Sequence, residues 1–213
     1  PLEEETARNF LGGPGLGAKI LYYRMPAHAD VFGEESMLGF VSGPLNNTLA
    51  RFGGRYTVVS KSPVTGGWND ANSGGLFGER LKKAGYDGIF VNGISEKPVY
   101  ILVDNGEMTL CDASDLWGLT ARDAEEKLKA KYGKKAGIAV VGPAGENMSY
   151  MAAIMNDGHR AAARGGSGAV MGSKKLKAVV VKGKARTPVA SCCKLLRVQI
   201  KIWLFEITSW LKS

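Results

Sequence analysis

The segment Gly53–Gly93 constrains this chain more than any other. It opens on Gly53-Gly54-Arg55 and continues into Tyr56-Thr57-Val58-Val59-Ser60-Lys61, closed by Ser62-Pro63. A β-branched run bounded by glycine and proline predicts a strand. After a long loop comes Asn72-Ser73-Gly74-Gly75-Leu76-Phe77-Gly78, a turn whose glycines let the backbone approach a ligand with no Cβ in the way. A helix is expected over Glu79–Ala84 and a second strand over Gly88–Val91, before Asn92-Gly93.

The segment Ala136–Gly183 repeats this plan. Ile138-Ala139-Val140-Val141 reads as a strand ending in Gly142-Pro143. A long loop follows, then Arg164-Gly165-Gly166-Ser167-Gly168, a lysine-bearing stretch and the strand Ala178–Val181 before Lys182-Gly183. Two copies are too few for a solenoid and imply a pseudo-two-fold duplication with two equivalent loops facing one site. The competing reading is chance recurrence of strand, glycine turn, helix and strand, which any α/β chain can show.

Twenty-nine glycines without a collagen period indicate a globular chain with many backbone-lined turns. The length suits one large domain or two small ones. The net charge is +8, and the segment after Ala190 carries four cations against Glu206, leaving +5 on the body. That excess suits an anionic ligand and equally a weakly held nucleic acid. Cys111, Cys192 and Cys193 include no Cys-x-x-Cys pair, which argues against a disulfide framework, zinc site or iron–sulfur site built within the chain and fits a reducing cytoplasm. No apolar run has membrane-spanning length. The first residue is Pro1, so the chain reads as a fragment or processed form.

Other motifs are weaker. Glu3–Phe10 is an acidic helix start, and Gly12–Ala18 a glycine-rich turn feeding a helix over Ala18–Arg24. Its Gly13-x-Gly15-x-x-Ala18 pattern lacks the buried strand that a dinucleotide site needs. Met37–Pro44 is a strand ending in Gly-Pro. Asn105-Gly106 predicts a hairpin between Val99–Val103 and Glu107–Cys111. A helix over Ala121–Tyr132 has Thr120 as N-cap, and its charges read as a solvated face. Gly172-Ser173-Lys174-Lys175 misses the phosphate-loop spacing. His28 and His159 have no partner that makes a catalytic set. The segment Ser191–Ser213 is apolar and free of glycine, an atypical tail set apart from a body at residues 1–190.

In combination, Gly12–Gly17, Gly53-Gly54-Arg55, Lys61–Gly66, Asn72–Gly75, Ala84–Gly88, Arg160–Gly166 and Gly168–Lys174 resemble the N-terminal domain of aldehyde ferredoxin oxidoreductases. The resemblance covers Leu2 to about Ala190 and excludes the tail. It implies an α+β fold of two β-sheets with approximate two-fold symmetry, helices on the outside and a cofactor cleft between the sheets. It implies a tungsten or molybdenum bis-pyranopterin whose metal takes sulfur from the pterins. It also implies a Mg²⁺ bridging the pterin phosphates, held by the backbone carbonyls of Asn72 and Ala161. Arg55 and Arg160 match arginines that approach those phosphates. Ser73, Gly74, Gly75, Arg164, Gly165 and Gly166 complete the expected cofactor-binding set.

Oxygen donors suit Mg²⁺, and guanidinium forks suit phosphate. The bland alternative for Arg164 is a surface ion pair. In the family the 4Fe-4S cysteines and acid–base residues belong to later domains, so no catalytic residue is assigned here and activity is not expected of this piece alone. The resemblance implies as partners those further domains, ferredoxin and an aldehyde, and allows a homodimer. The rival reading is a basic phosphate- or nucleic-acid-binding module with no redox role. No aromatic–basic cluster of the ribonucleoprotein type supports nucleic acid.

Overall fold

The computed structural model describes residues 3–48, 50 and 53–189, so the expected tail at 191–213 lies outside them. The chain begins with α1 (Glu4–Phe10), α2 (Gly13–Arg24), β1 (Leu38–Ser42), β2 (Tyr56–Lys61), β3 (Trp68–Ser73), α3 (Phe77–Lys83) and β4 (Gly88–Val91). A hairpin, β5 (Val99–Asp104) and β6 (Glu107–Asp112), leads to α4 (Ala121–Tyr132), β7 (Gly137–Val140) and α5 (Pro143–Glu146). Then come β8 (Ile154–Asn156), β9 (Arg160–Ala162), a 3-10 turn at Arg164–Gly166, α6 (Ser167–Ser173) and β10 (Leu176–Lys182).

Two sheets form. One has the order β3-β2-β1-β4; the other runs β6-β5-β10-β7-β8-β9. Within the second, β9-β8-β7-β10 repeats the order of the whole first sheet, and the β5–β6 hairpin is added alongside β10. The duplication is therefore present, with its frame moved by one strand. β7 corresponds to β1 rather than to β2, and the guide is Gly43-Pro44 after β1 against Gly142-Pro143 after β7. The long loops expected before each glycine turn contain further strands, β3 in the first copy and β8 and β9 in the second.

The main core lies between the sheets. Leu38, Phe40, Tyr56 and Val58 face Val103, Ile154, Val179 and Val181, with Phe77 and Leu81 of α3 and Val170 and Met171 of α6 between them. Alternate residues of the same strands point outward under the other helices. Val41 and Val59 meet Leu16 and Leu21 of α2. Ile138, Val140, Ala178 and Val180 meet Ala124 and Leu128 of α4. Burial on both faces explains why Ala178–Val181 of β10 reads as an apolar run rather than an alternation. The expectation of outer helices describes α2 and α4; α3 and α6 instead fill the layer between the sheets. Every residue of α6 from Ser167 to Gly172 is buried, which requires a helix of small and apolar residues with no polar face.

Local chemistry accounts for the ends of α4 and the start of α2. The Thr120 hydroxyl accepts from the Asp123 N–H at 3.2 Å and caps α4, which stops at Gly133. α2 begins earlier than expected, at Gly13, because Pro14 in the first turn has no N–H to leave unpaired. The α4 charges are not all solvated: Glu125 is buried, and its Oε2 accepts from the Gly158 N–H at 2.9 Å.

Candidate functional site at the facing edge strands

β3 and β9 are the edge strands at corresponding ends of the two sheets. They lie side by side, with the 3-10 turn at 164–166 also against β3. The ladder registers relate them residue by residue. The Gly-Pro pairs set Val41 against Val140. Val41 pairs with Thr57, and Thr57 with Asn72. Val140 pairs with Met155, and Met155 with Ala161. On the other side Val41 pairs with Gly88 and Val140 with Ala178, so the frame holds across the repeat. Asn72 and Ala161 thus occupy the same position in the two copies.

Three arginines surround these strands, all exposed. Arg55 precedes β2, and its Nε donates to Asn72 Oδ1 at 2.8 Å. Its Nη2 also donates to that oxygen and, at 3.4 Å, to the Asn72 carbonyl. A Cβ built on Gly74 would lie 3.0 Å from Arg160 Nη1 and 3.8 Å from Arg55 Nη1, so both guanidinium groups border that turn. Arg164 stands at the start of the 3-10 turn. Among the described residues none of the three makes an ion pair with another described residue.

The glycines serve packing within the chain. Gly75 has φ +97°, and a Cβ there would fall inside the Asp157 carboxylate. Gly165 has φ +67°, and a Cβ there would fall inside the Asn69 amide. Positive φ and crowding exclude larger residues at both positions. Each glycine turn is pressed against the opposite repeat, so the sequence-level expectation that glycine marks ligand approach has a second physical cause.

Asn156, at the end of β8, escaped the sequence reading. It is fully buried, and its amide makes four hydrogen bonds. Its Oδ1 accepts from Tyr56 Oη at 3.2 Å and Ser73 Oγ at 2.7 Å. Its Nδ2 donates to the Gly74 carbonyl at 2.8 Å and to Asp157 Oδ2 at 2.9 Å. Burial, with the negative charges of Asp157 and Glu125 nearby, pushes the Tyr56 phenol far above its ordinary value and keeps it a neutral donor. Asp157 Oδ2 also accepts from the Leu76 N–H at 2.7 Å. Ser62 Oγ donates to the Gly165 carbonyl at 2.9 Å. Asn156-Asp157-Gly158 looks like an ordinary turn in sequence, which hides its role as a junction between sheets.

His159 is exposed and lines a cavity of about 350 Å³ beside the turn, with Arg122, Glu125 and Asp157. A cavity of about 970 Å³ lies elsewhere, against α2, and is lined by residues that include Tyr22, Tyr23 and Trp68. Among the described residues no helix is long and apolar enough to cross a membrane.

The donor set suits a doubly phosphorylated ligand with a hard cation. It offers three exposed guanidinium groups beside two equivalent main-chain positions, whose carbonyls are oxygen donors of the kind Mg²⁺ takes.

Comparison with known proteins gives a consistent result. Residues 1–183 match the family model described as "Aldehyde ferredoxin oxidoreductase, N-terminal domain". The chain is 52% identical over 196 residues to a tungsten-containing aldehyde ferredoxin oxidoreductase of Thermococcus kodakarensis, covering 92% of this chain and 32% of that protein. It is 34% identical to a Pyrococcus furiosus aliphatic sulfonate oxidoreductase, WOR-like subunit, covering 98% of this chain and 36% of the relative. Among solved structures, the active site complex BamBC of benzoyl coenzyme A reductase with 1,5-dienoyl-CoA superposes with a TM-score of 0.84 at 39% identity. That match covers 87% of this chain and 28% of the other. The chain spans about a third of the length of the curated relatives it matches.

Proposed function

The chain belongs to the aldehyde ferredoxin oxidoreductase family, in the part that matches the N-terminal domain, and from that premise we propose that it is the cofactor-binding domain of a tungsten or molybdenum bis-pyranopterin oxidoreductase. The observation that carries the proposal is the equivalence of Asn72 and Ala161 on facing edge strands bordered by arginines. A cofactor with two pterin phosphates is itself nearly symmetric. The two repeat-related carbonyls would give a Mg²⁺ bound with such a ligand two matching oxygen donors. Arg55, Arg160 and Arg164 would offer forked donors to the phosphate oxygens and balance their charge. Ser73, Gly74, Gly75, Gly165 and Gly166 would line the pterin edges with main chain.

The bound metal centre would supply two-electron oxidation of an aldehyde to a carboxylic acid. Ferredoxin would accept the electrons through a 4Fe-4S cluster held, with the acid–base groups, by the remaining domains of the full-length enzyme. A homodimer and a cytoplasmic location are compatible with this reading. The rival, a basic phosphate- or nucleic-acid-binding module without redox chemistry, uses the same arginines and has no use for the paired carbonyls.

The test is the content of tungsten, molybdenum and pterin in the full-length enzyme carrying this domain, made anaerobically with tungstate. The expected result is one tungsten or molybdenum and two pterins per polypeptide, with pterin fluorescence released on denaturation. Protein free of all three would overturn the proposal and favour the rival.

A further inference from the structure

We infer that Asn156 and Ser62 are positioning residues that latch the two glycine turns reciprocally, so that the two halves of the edge-strand site hold or loosen together. Its consequence for cofactor binding rests on the function proposed above; the latch itself rests on geometry.

Asn156 belongs to the second repeat and donates to the carbonyl of Gly74, in the first. Ser62 belongs to the first and donates to the carbonyl of Gly165, in the second. Each turn is therefore held by the opposite copy. The main-chain ladders do not do this work: β3 and β9 are edge strands of different sheets and share no ladder. Hydrogen bonds from side chains bridge the seam instead, and two more converge on Asn156, from Tyr56 and Ser73. Asp157 adds a fifth tie across the seam by accepting from the Leu76 N–H of the first-repeat turn.

The stakes are highest at Asn156. It is buried, and all four of its hydrogen-bonding positions are used. Truncating it leaves the Tyr56 and Ser73 hydroxyls and the Gly74 carbonyl short of partners. Ser62 is also buried, and its hydroxyl additionally accepts from the Val64 N–H at 3.1 Å, which fixes the loop that meets the Gly165 turn. Asn72 lies two positions before Gly74, and Ala161 four before Gly165, so movement of either turn displaces one of the equivalent carbonyls.

The test is amide hydrogen exchange on the 213-residue chain, comparing Asn156→Ala and Ser62→Ala with the parent. The probes are the Leu76 N–H, held by Asp157, and the Gly168 N–H, which donates to the Ala152 carbonyl just beyond the second turn. Val179–Val181 in the core report global opening. Each single substitution is expected to speed exchange at least tenfold at both probes while Val179–Val181 keep their protection. Acceleration confined to the turn that the altered residue touches would overturn the latch. Should Asn156→Ala release every amide, Ser62→Ala decides, because it deletes one hydroxyl: loss at both probes supports the latch, and loss at Gly168 alone contradicts it. A parallel titration of the parent chain with Mg²⁺ and inorganic pyrophosphate reads the cofactor proposal separately. Its failure would contradict phosphate binding without altering the exchange pattern that defines the latch.

Discussion

Gly75 shows how one residue carries a constraint that its neighbours impose. Its φ of +97° and the Asp157 carboxylate together leave no place for a side chain. Gly75→Ala is expected to destabilise the chain by about 1–3 kcal/mol, measured by urea unfolding. The glycine was conspicuous in the sequence; its partner Asp157 was not, because contact across sheets leaves no local pattern. Lys174 gives a pH signature. It is buried, its Nζ donates to the Gly93 carbonyl at 3.3 Å, and burial pushes its pKa down to about 8. An unfolded lysine keeps its proton to about pH 10.4. Between those values the unfolded chain binds more protons, so Lys174 makes stability rise as pH rises. Lys177 is shifted the same way by burial. Unfolding free energy is therefore expected to be larger at pH 9.5 than at pH 7.5, and Lys174→Met should flatten that slope.

At the scale of elements, strands with β-branched cores such as β2, β7 and β10 were legible, as were the Asn105-Gly106 hairpin and the Thr120-capped helix. β3, with the sequence Trp-Asn-Asp-Ala-Asn-Ser, was not: Asn69, Asp70, Ala71 and Asn72 are of types depleted in strands, and it is held by pairing to β2 along an edge. β8 and β9 have three residues each, too short to display a period. A further tie concealed from sequence joins α5 to β10. Lys177 is fully buried, ion-paired with Glu146, and donates to the Leu119 carbonyl at 2.8 Å; Glu146 also accepts from the Gly118 N–H at 2.9 Å. Glu146→Ala strands a buried cation and should cost about 3–5 kcal/mol by chemical denaturation. Replacing the pair together, Glu146→Leu with Lys177→Met, should recover most of that loss, since well-packed apolar residues often match a buried ion pair.

At the scale of the whole molecule, the duplication was visible as two glycine turns in similar surroundings. Its true frame was not, since β1 and β7 are related by strand order and by Gly-Pro pairs that a reader can misalign by one strand. The two residues that the proposed function places at the cation were within reach. Asn72 and Ala161 were named through a resemblance, and the ladders give them equivalent positions. Asn156 was out of reach because its partners Tyr56, Ser73 and Gly74 lie 82 to 100 positions away in sequence. The proposal that rests on the equivalence of Asn72 and Ala161 is that their carbonyls share one divalent cation. Its most direct test is carbonyl-detected NMR of the ¹³C-labelled chain titrated with Mn²⁺ and inorganic pyrophosphate, the paramagnetic ion standing in for Mg²⁺. The expected result is that the carbonyl signals of Asn72 and Ala161 broaden together, at the same metal concentration and before those of the β5–β6 hairpin. Broadening of one without the other, or of neither while acidic surface residues respond, would contradict the claim.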